Sequence, residues 1–157
     1  MSKQKAVNIE SVDHIGIRVT DEQRALDFYK VLGFELLHKV EFDAVDIIEN
    51  SAGVQINLIV NGVERTDGQN VLMDIAEKYT GYTHVALHVA SIADTLTVLK
   101  DNDIRITQGP VEFGGGSVSI FIRDPDSNVI ELRGRDQDLS AIEGVSFYDP
   151  DHRPDED

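Results

Sequence analysis

The sequence predicts an α+β fold: two tandem βαβββ modules whose curved mixed sheets surround a shared cavity. Three observations carry this expectation. The chain repeats itself, each copy opens on a strand that runs into a capped helix, and each helix is followed by three strand-like segments. Sliding "VDHIGIRVTD", which begins at Val12, by 70 positions onto "YTHVALHVAS" lays His14 on His84, Ile15 on Val85, Ile17 on Leu87 and Val19 on Val89. The same offset lays Leu26 on Leu96 and Lys30 on Lys100. Both openings alternate with a period of two, so Ile15, Ile17 and Val19 share one face while His14, Gly16 and Arg18 share the other. In the second copy His84, Ala86 and His88 share a face.

The first helix is expected to start at an N-cap on Thr20, with Gln23 completing a capping box. Ala25, Phe28, Tyr29 and Leu32 follow at helical spacing, and Gly33 ends the run as a residue suited to positive φ. In the second copy Ser91 is the cap, Asp94 occupies the third helical position, and Ile92, Leu96 and Leu99 form the apolar stripe. The strand segments are "FELLHKVEF", "AVDIIEN" and "VQINLIV" in the first copy and "IRITQG", "SVSIFIRD" and "NVIELRG" in the second. The last strands align Ile56 with Ile130 and Asn57 with Glu131 at an offset of 74, so the second copy holds an insertion, which the run Gly114, Gly115 and Gly116 accommodates at a hairpin. That run precedes a strand rather than a helix, which argues against a phosphate cradle.

The modules span residues 10–62 and 81–134. They follow an N-terminal extension over 1–9, are joined by a connector over 63–80 that holds a short helical stretch around Val71 to Lys78, and precede an acidic tail over 135–157. With 157 residues the chain is long enough for a core without staples. It has no cysteine, which excludes disulfides, thiolate metal sites and cysteine nucleophiles. A net charge of −15 repels phosphate backbones and anionic lipid, so neither nucleic acid nor membrane is an expected partner. No apolar run reaches the length of a membrane span and the first residues lack a signal-peptide core, which leads to the expectation of a cytoplasmic protein.

Taken singly, a histidine at a strand start or a glutamate on a strand face is an ordinary solvated residue. Taken together, His14 and His84 occupy equivalent depths, as do Asn57 and Glu131, so a pseudo-twofold axis could bring all four together. Two imidazoles and one carboxylate are a recognised set for a divalent ion, with open positions left for water or substrate. His88, on the face of His84, is a candidate for acid–base work. Arg18, Arg123 and Arg133 are candidates to meet an anionic substrate, and His38 and His152 have no repeat partner and read as surface residues.

These residues carry a family resemblance. "VDHIGIRVTD…RALDFYKVLGFEL", "YTHVALHV" and the closing "FIRDPDSNVIELRG" resemble the opening strands and closing signature of the vicinal oxygen chelate superfamily, over about residues 10 to 134. That group includes glyoxalase I, bleomycin-resistance proteins, methylmalonyl-CoA epimerase and extradiol dioxygenases. The resemblance implies metal ligands at His14, His84 and Glu131, a homodimer, and a small-molecule substrate that chelates a divalent zinc, nickel, manganese or iron ion. The fourth ligand position, glutamate in glyoxalases and glutamine in the epimerase, falls on Asn57, with Gln55 two residues earlier on the same face. The position that holds a tyrosine in extradiol dioxygenases falls on Phe121, which has no hydrogen to donate. The resemblance implies a glyoxalase-like lyase or isomerase working through an enediolate, with Glu131 as base. The alternatives are an Fe(II) ring-cleaving dioxygenase and a bleomycin-resistance-like protein that binds a drug or metabolite without turnover.

Overall fold

A computed structural model describes residues 6–65, 67–135 and 142–148. The elements run β1 (Ile15–Arg18), α1 (Glu22–Val31), β2 (Glu35–Val40), β3 (Val45–Glu49), β4 (Gln55–Ile59), β5 (His84–His88), α2 (Ile92–Asp101), β6 (Ile106–Glu112), β7 (Val118–Arg123), β8 (Val129–Gly134) and β9 (Ser146–Phe147). Two βαβββ modules result. The first makes a sheet of order β1-β4-β3-β2 and the second a sheet of order β5-β8-β7-β6-β9. In each, the opening strand pairs in parallel with the third strand after the helix, the strands within the module otherwise pair antiparallel, and β6 also pairs in parallel with β9.

The registers repeat as the sequence does. Ile15 pairs with Ile56 and Val85 with Ile130, and Ile48 faces Ile56 as Ile122 faces Ile130. The offset is still 70 at the ends of the helices and has become 74 by β3 and β7, so the insertion lies in the β6–β7 hairpin. Gly114, Gly115 and Gly116 turn that hairpin at φ of 104°, 76° and 77°, where a side chain would be strained.

The apolar positions of period two do what the pattern requires. Ile17, Val19, Ile48, Ile56, Leu58, Ile120, Ile122, Ile130 and Leu132 are buried beneath the helices, with Ala25 and Tyr29 from α1 and Ile92 and Leu99 from α2. The opposite, concave faces carry His14, Gly16, Arg18 and Asn57 in the first sheet and His84, Ala86, Glu131 and Phe121 in the second. Both modules line one cavity of about 800 Å³, to which His14, Arg18, His84 and Val129 contribute.

Two expectations of local structure change. The N-cap of α1 is Asp21, whose carboxylate accepts from Arg24 N at 2.8 Å. Thr20 is diverted into the packing of one module on the other: its N–H and hydroxyl donate to Asp126 at 3.1 and 2.6 Å. The stretch Val71 to Lys78 forms turns and bends instead of helix. Asp74, which would sit in the middle of a helix there, is drawn into a paired contact with Arg123 at 2.7 and 3.0 Å. The remaining caps are as expected, with Ser91 Oγ accepting from Asp94 N and Gly33 at φ of 92°. Beyond the second module, β9 adds a short parallel strand to the free edge of β6, and Ile142 is buried in the core. His152 lies outside the described residues, and His38 is exposed on β2.

The modules are locked at the turn "DPDSN". Asp124 is buried; one of its oxygens accepts from the backbone of Asp126 and Asn128, and the other from the Tyr29 hydroxyl at 2.9 Å and the Asn128 amide at 2.8 Å. Burial raises the pKa of both Tyr29 and Asp124, against the hydrogen bonds that hold the Asp124 carboxylate. Asp126 receives Thr20 and Arg24, and the Asn128 amide reaches the Arg18 carbonyl. A sequence that reads as a turn is therefore also the staple between the two halves.

Candidate metal centre

Strand β5 brings His84, and its parallel neighbour β8 brings Glu131, to the concave face of the second sheet. His84 pairs in register with Val129 and Ala86 with Glu131, so the imidazole and the carboxylate lie diagonally across the β5–β8 pair. His84 Nε2 stands 3.2 Å from Glu131 Oε2. Its Nδ1 lies 2.9 Å from the Thr83 hydroxyl. The other carboxylate oxygen, Oε1, accepts from the Ser119 hydroxyl at 2.6 Å and from the Arg133 guanidinium at 3.4 Å, and Arg133 also donates to Ser119 at 3.0 Å. Glu131 is 7% exposed and Ser119 wholly buried, so this carboxylate is held in place with one oxygen tied down and the other turned to the imidazole. A buried carboxylate persists because charged and neutral donors surround it.

Phe121 sits directly across from Glu131 on β7, and its ring meets that of His84 edge-on at 5.9 Å. It walls the imidazole without offering a hydrogen bond.

The first module presents its counterpart differently. His14 is exposed and its Nδ1 lies 2.6 Å from the Asp13 carboxylate. Asn57 is half-buried in register with Gly16 and opposite Ile47. Gln55 donates to Glu49 at 2.7 Å. Among the described residues no group of three or more metal-type side chains converges. The reason lies in the direction of the strands. Arg18, at the end of β1, is level with Asn128, just before the start of β8, through the Asn128–Arg18 hydrogen bond. His84 is paired with Val129 at that same level. His14 lies four residues back along β1, and strand rise puts that at roughly 13 Å. Within one chain, then, His84 and Glu131 meet across β5 and β8, while His14 and Asn57 lie on the first module, away from them.

The other candidates are placed as follows. His88 is exposed at the far end of β5, about 13 Å from His84 by strand rise. It lines a second cavity, of about 420 Å³, together with Leu87, Leu99 and Leu132. Arg123 is committed to Asp74 and to the Ser127 carbonyl, Arg133 to Ser119 and Glu131, and Arg18 lines the larger cavity. The sequence reading missed Ser119. Its place on β7, two residues from Phe121, would have flagged it only if the pairing of β7 with β8 were known.

Comparison with known proteins agrees with this architecture. Residues 11–132 match the model of the Glyoxalase/Bleomycin resistance protein/Dioxygenase superfamily. A lactoylglutathione lyase of Escherichia coli O157:H7 is 36% identical over 122 residues, covering 76% of this chain and 88% of that one. A probable lactoylglutathione lyase of Vibrio cholerae is 30% identical over 141 residues, covering 83% and 95%. Among solved structures, a glyoxalase/dioxygenase from Nostoc punctiforme superposes with a TM-score of 0.69 at 22% identity, covering 87% of this chain and 100% of the other, a likeness of fold. With its paired βαβββ modules and its match over residues 11–132, the chain belongs to the Glyoxalase/Bleomycin resistance protein/Dioxygenase superfamily, the vicinal oxygen chelate fold.

Proposed function

We propose that the protein is a glyoxalase-like, metal-dependent lyase or isomerase whose substrate carries oxygens on two adjacent carbons. The observation that carries this reading is the held pair His84 and Glu131, with Nε2 and Oε2 at 3.2 Å and the second carboxylate oxygen fixed from behind. An imidazole and a carboxylate without thiolate fit a divalent zinc, nickel, manganese or iron ion. His84 and Glu131 would hold one side of the ion. His14 and Asn57 of a second copy of the chain would hold the other, which makes the active species a homodimer with two equivalent sites. Asn57 offers an amide oxygen where a carboxylate would add charge, so the first half-site contributes less to affinity than the second.

A divalent ion held there would polarise the adjacent substrate oxygens as a Lewis acid. The rest falls to the chain. Glu131 Oε2 takes a proton from the carbon beside the substrate carbonyl and returns it to the neighbouring carbon, while Ser119 and Arg133 keep the carboxylate aimed. Phe121 packs edge-on against the His84 ring and steadies it. His88 is too far along β5 to share that proton, so acid–base work rests on Glu131 alone. Lactoylglutathione, the compound in the names of the lyase relatives, has its hydroxyl and carbonyl oxygens on adjacent carbons and is the first substrate to test.

The test is elemental analysis of protein purified without chelator, beside Glu131→Ala and His84→Ala, with lyase assays on all three. Stoichiometric metal in the parent and its loss in both variants is the expected result. Mixing His14→Ala with Glu131→Ala under subunit exchange should then restore roughly a quarter of parental activity, the statistical share of intact sites in a twofold dimer. No rescue on mixing would place all the ligands in one chain. Bound iron with catechol-dependent oxygen uptake would replace the lyase by a dioxygenase. A parent that stays empty after reconstitution would leave a binding protein.

A further inference from the structure

The pseudo-twofold gives the molecule two seams, and among the described residues one is filled by an aromatic ring and the other holds a cavity. At the first, Tyr29 of α1 donates to Asp124 in the turn before β8. The turn before β4 copies that turn bond for bond. Asn50 Oδ1 accepts from Ala52 N at 3.1 Å and Val54 N at 2.9 Å, as Asp124 Oδ1 accepts from Asp126 N and Asn128 N, both at 2.9 Å. Asn50 N donates to the Val54 carbonyl at 3.1 Å as Asp124 N does to that of Asn128 at 3.0 Å. Gly53 and Ser127 share the left-handed conformation, at φ of 81° and 65°. The helices match as well: Ile104 N donates to the Leu99 carbonyl as Phe34 N does to that of Tyr29.

The backbone frame is thus the same while the side chains differ. Leu99 stands for Tyr29, Asn50 for Asp124, Ala52 for Asp126, Ala90 for Thr20 and Asp94 for Arg24. Where the first seam holds a phenol ring and its polar clamp, the second has the cavity of about 420 Å³, walled by Phe34, Leu87, Val98, Leu99 and Leu132. That volume lies within the range of small-molecule sites, about 300–1,000 Å³.

We propose that this second-seam cavity binds a small neutral hydroxyaryl compound, a phenol. Its ring takes the space that Tyr29 fills at the other seam, and its oxygen meets the side-chain amide of Asn50 as the Tyr29 hydroxyl meets Asp124. Asn50 Oδ1 is committed to its turn, so Nδ2 stands where the second oxygen of Asp124 stands, a donor in place of an acceptor. A plain hydrocarbon would leave that donor unpaired, at a cost in affinity. Asp94 lines the same cavity and repels an anion. The cavity is lined around Leu87 to Ser91 and Leu132, at the far end of β5, and neither His84 nor Glu131 lines it, so this site is separate from the candidate metal centre.

The experiment is an amide ¹H–¹⁵N titration of the full chain with phenol, and with toluene as the ring lacking the oxygen. Saturable shifts at Asn50–Val54, Leu87–Ser91 and Thr95–Leu99 are expected, with toluene at least about tenfold weaker. The double variant Asn50→Asp/Leu99→Tyr rebuilds the clamp of the first seam; it should lose the phenol shifts and melt at a higher temperature than the parent. Leu99→Phe places a ring in the space without the new hydrogen bond, so it keeps the test decisive if the double variant fails to fold; it too should weaken phenol at least about tenfold. An absence of saturable shifts at these residues in the parent, equal binding of phenol and toluene, or unchanged phenol affinity in Leu99→Phe would each overturn the proposal.

Discussion

The two modules share a topology and a register, yet each holds one strongly buried strand carboxylate in a different way. In the second, Glu131 on β8 faces the concave side, and all its oxygens have partners in Ser119, Arg133 and His84. In the first, Asp46 on β3 faces the helix side at 3% exposure, with Oδ2 unpartnered. Burial first, then the neighbouring Glu22, pushes the Asp46 carboxyl up to about 6, although Glu22 is itself paired with Lys39. The corresponding concave position of the first module is Asn57, which is uncharged. A repeated backbone can thus carry one strand carboxylate that is held from behind and one that is not, and the difference lies in what stands around each side chain.

The largest effect expected from breaking the contrast is at Ser119. Replacing it with alanine removes the buried donor to Glu131 Oε1 and leaves the carboxylate free to rotate. Metal affinity should fall roughly 10–100-fold, the usual cost of losing an outer partner of a ligand, measured by competition with a chelator. A smaller change would mean that Arg133 alone can orient Glu131. Next is Tyr29→Phe, which leaves a buried Asp124 oxygen short of one donor. It should destabilise the fold by about 1–3 kcal/mol, read as a lower denaturant midpoint at unchanged slope. Because the clamp joins the modules, hydrogen exchange should quicken on both sides of that seam.

The smallest effect is expected in the pH dependence of stability. Asp46 has a folded-state pKa near 6, above the unfolded value, so the folded chain binds the extra proton between about pH 4 and 6. Its contribution to stability is present below that window and is lost as pH rises through it. Asp46→Asn should therefore flatten the decline in stability across pH 4 to 6 and leave the variant no less stable than the parent at pH 7. A steeper decline in the variant would show that Asp46 is held ionised by Lys39.

How much of this was legible in the sequence follows from range. The repeat of His14 on His84, the alternation around Ile15 and Val85, the cap at Ser91 and the turn at Gly33 are local or periodic signals, and the structure keeps all of them. Thr20 and Val71 to Lys78 went otherwise, because Asp126 and Arg123, distant in sequence, compete for Thr20 and for Asp74 within the Val71 to Lys78 stretch. That Glu131 sits mid-strand on a face shared with His84 could be read from period two and parallel pairing. That Ser119 and Arg133 grip it, that Tyr29 reaches Asp124, and that Leu99 leaves the matching seam hollow could not. The two modules and the residues that face the same way follow from local pattern, since a strand's period and a helix's stripe are properties of neighbouring residues. Which of those residues meet does not follow from local pattern, because side-chain contact depends on strand register and on the packing of one module against the other, and both are set by pairs far apart in the chain.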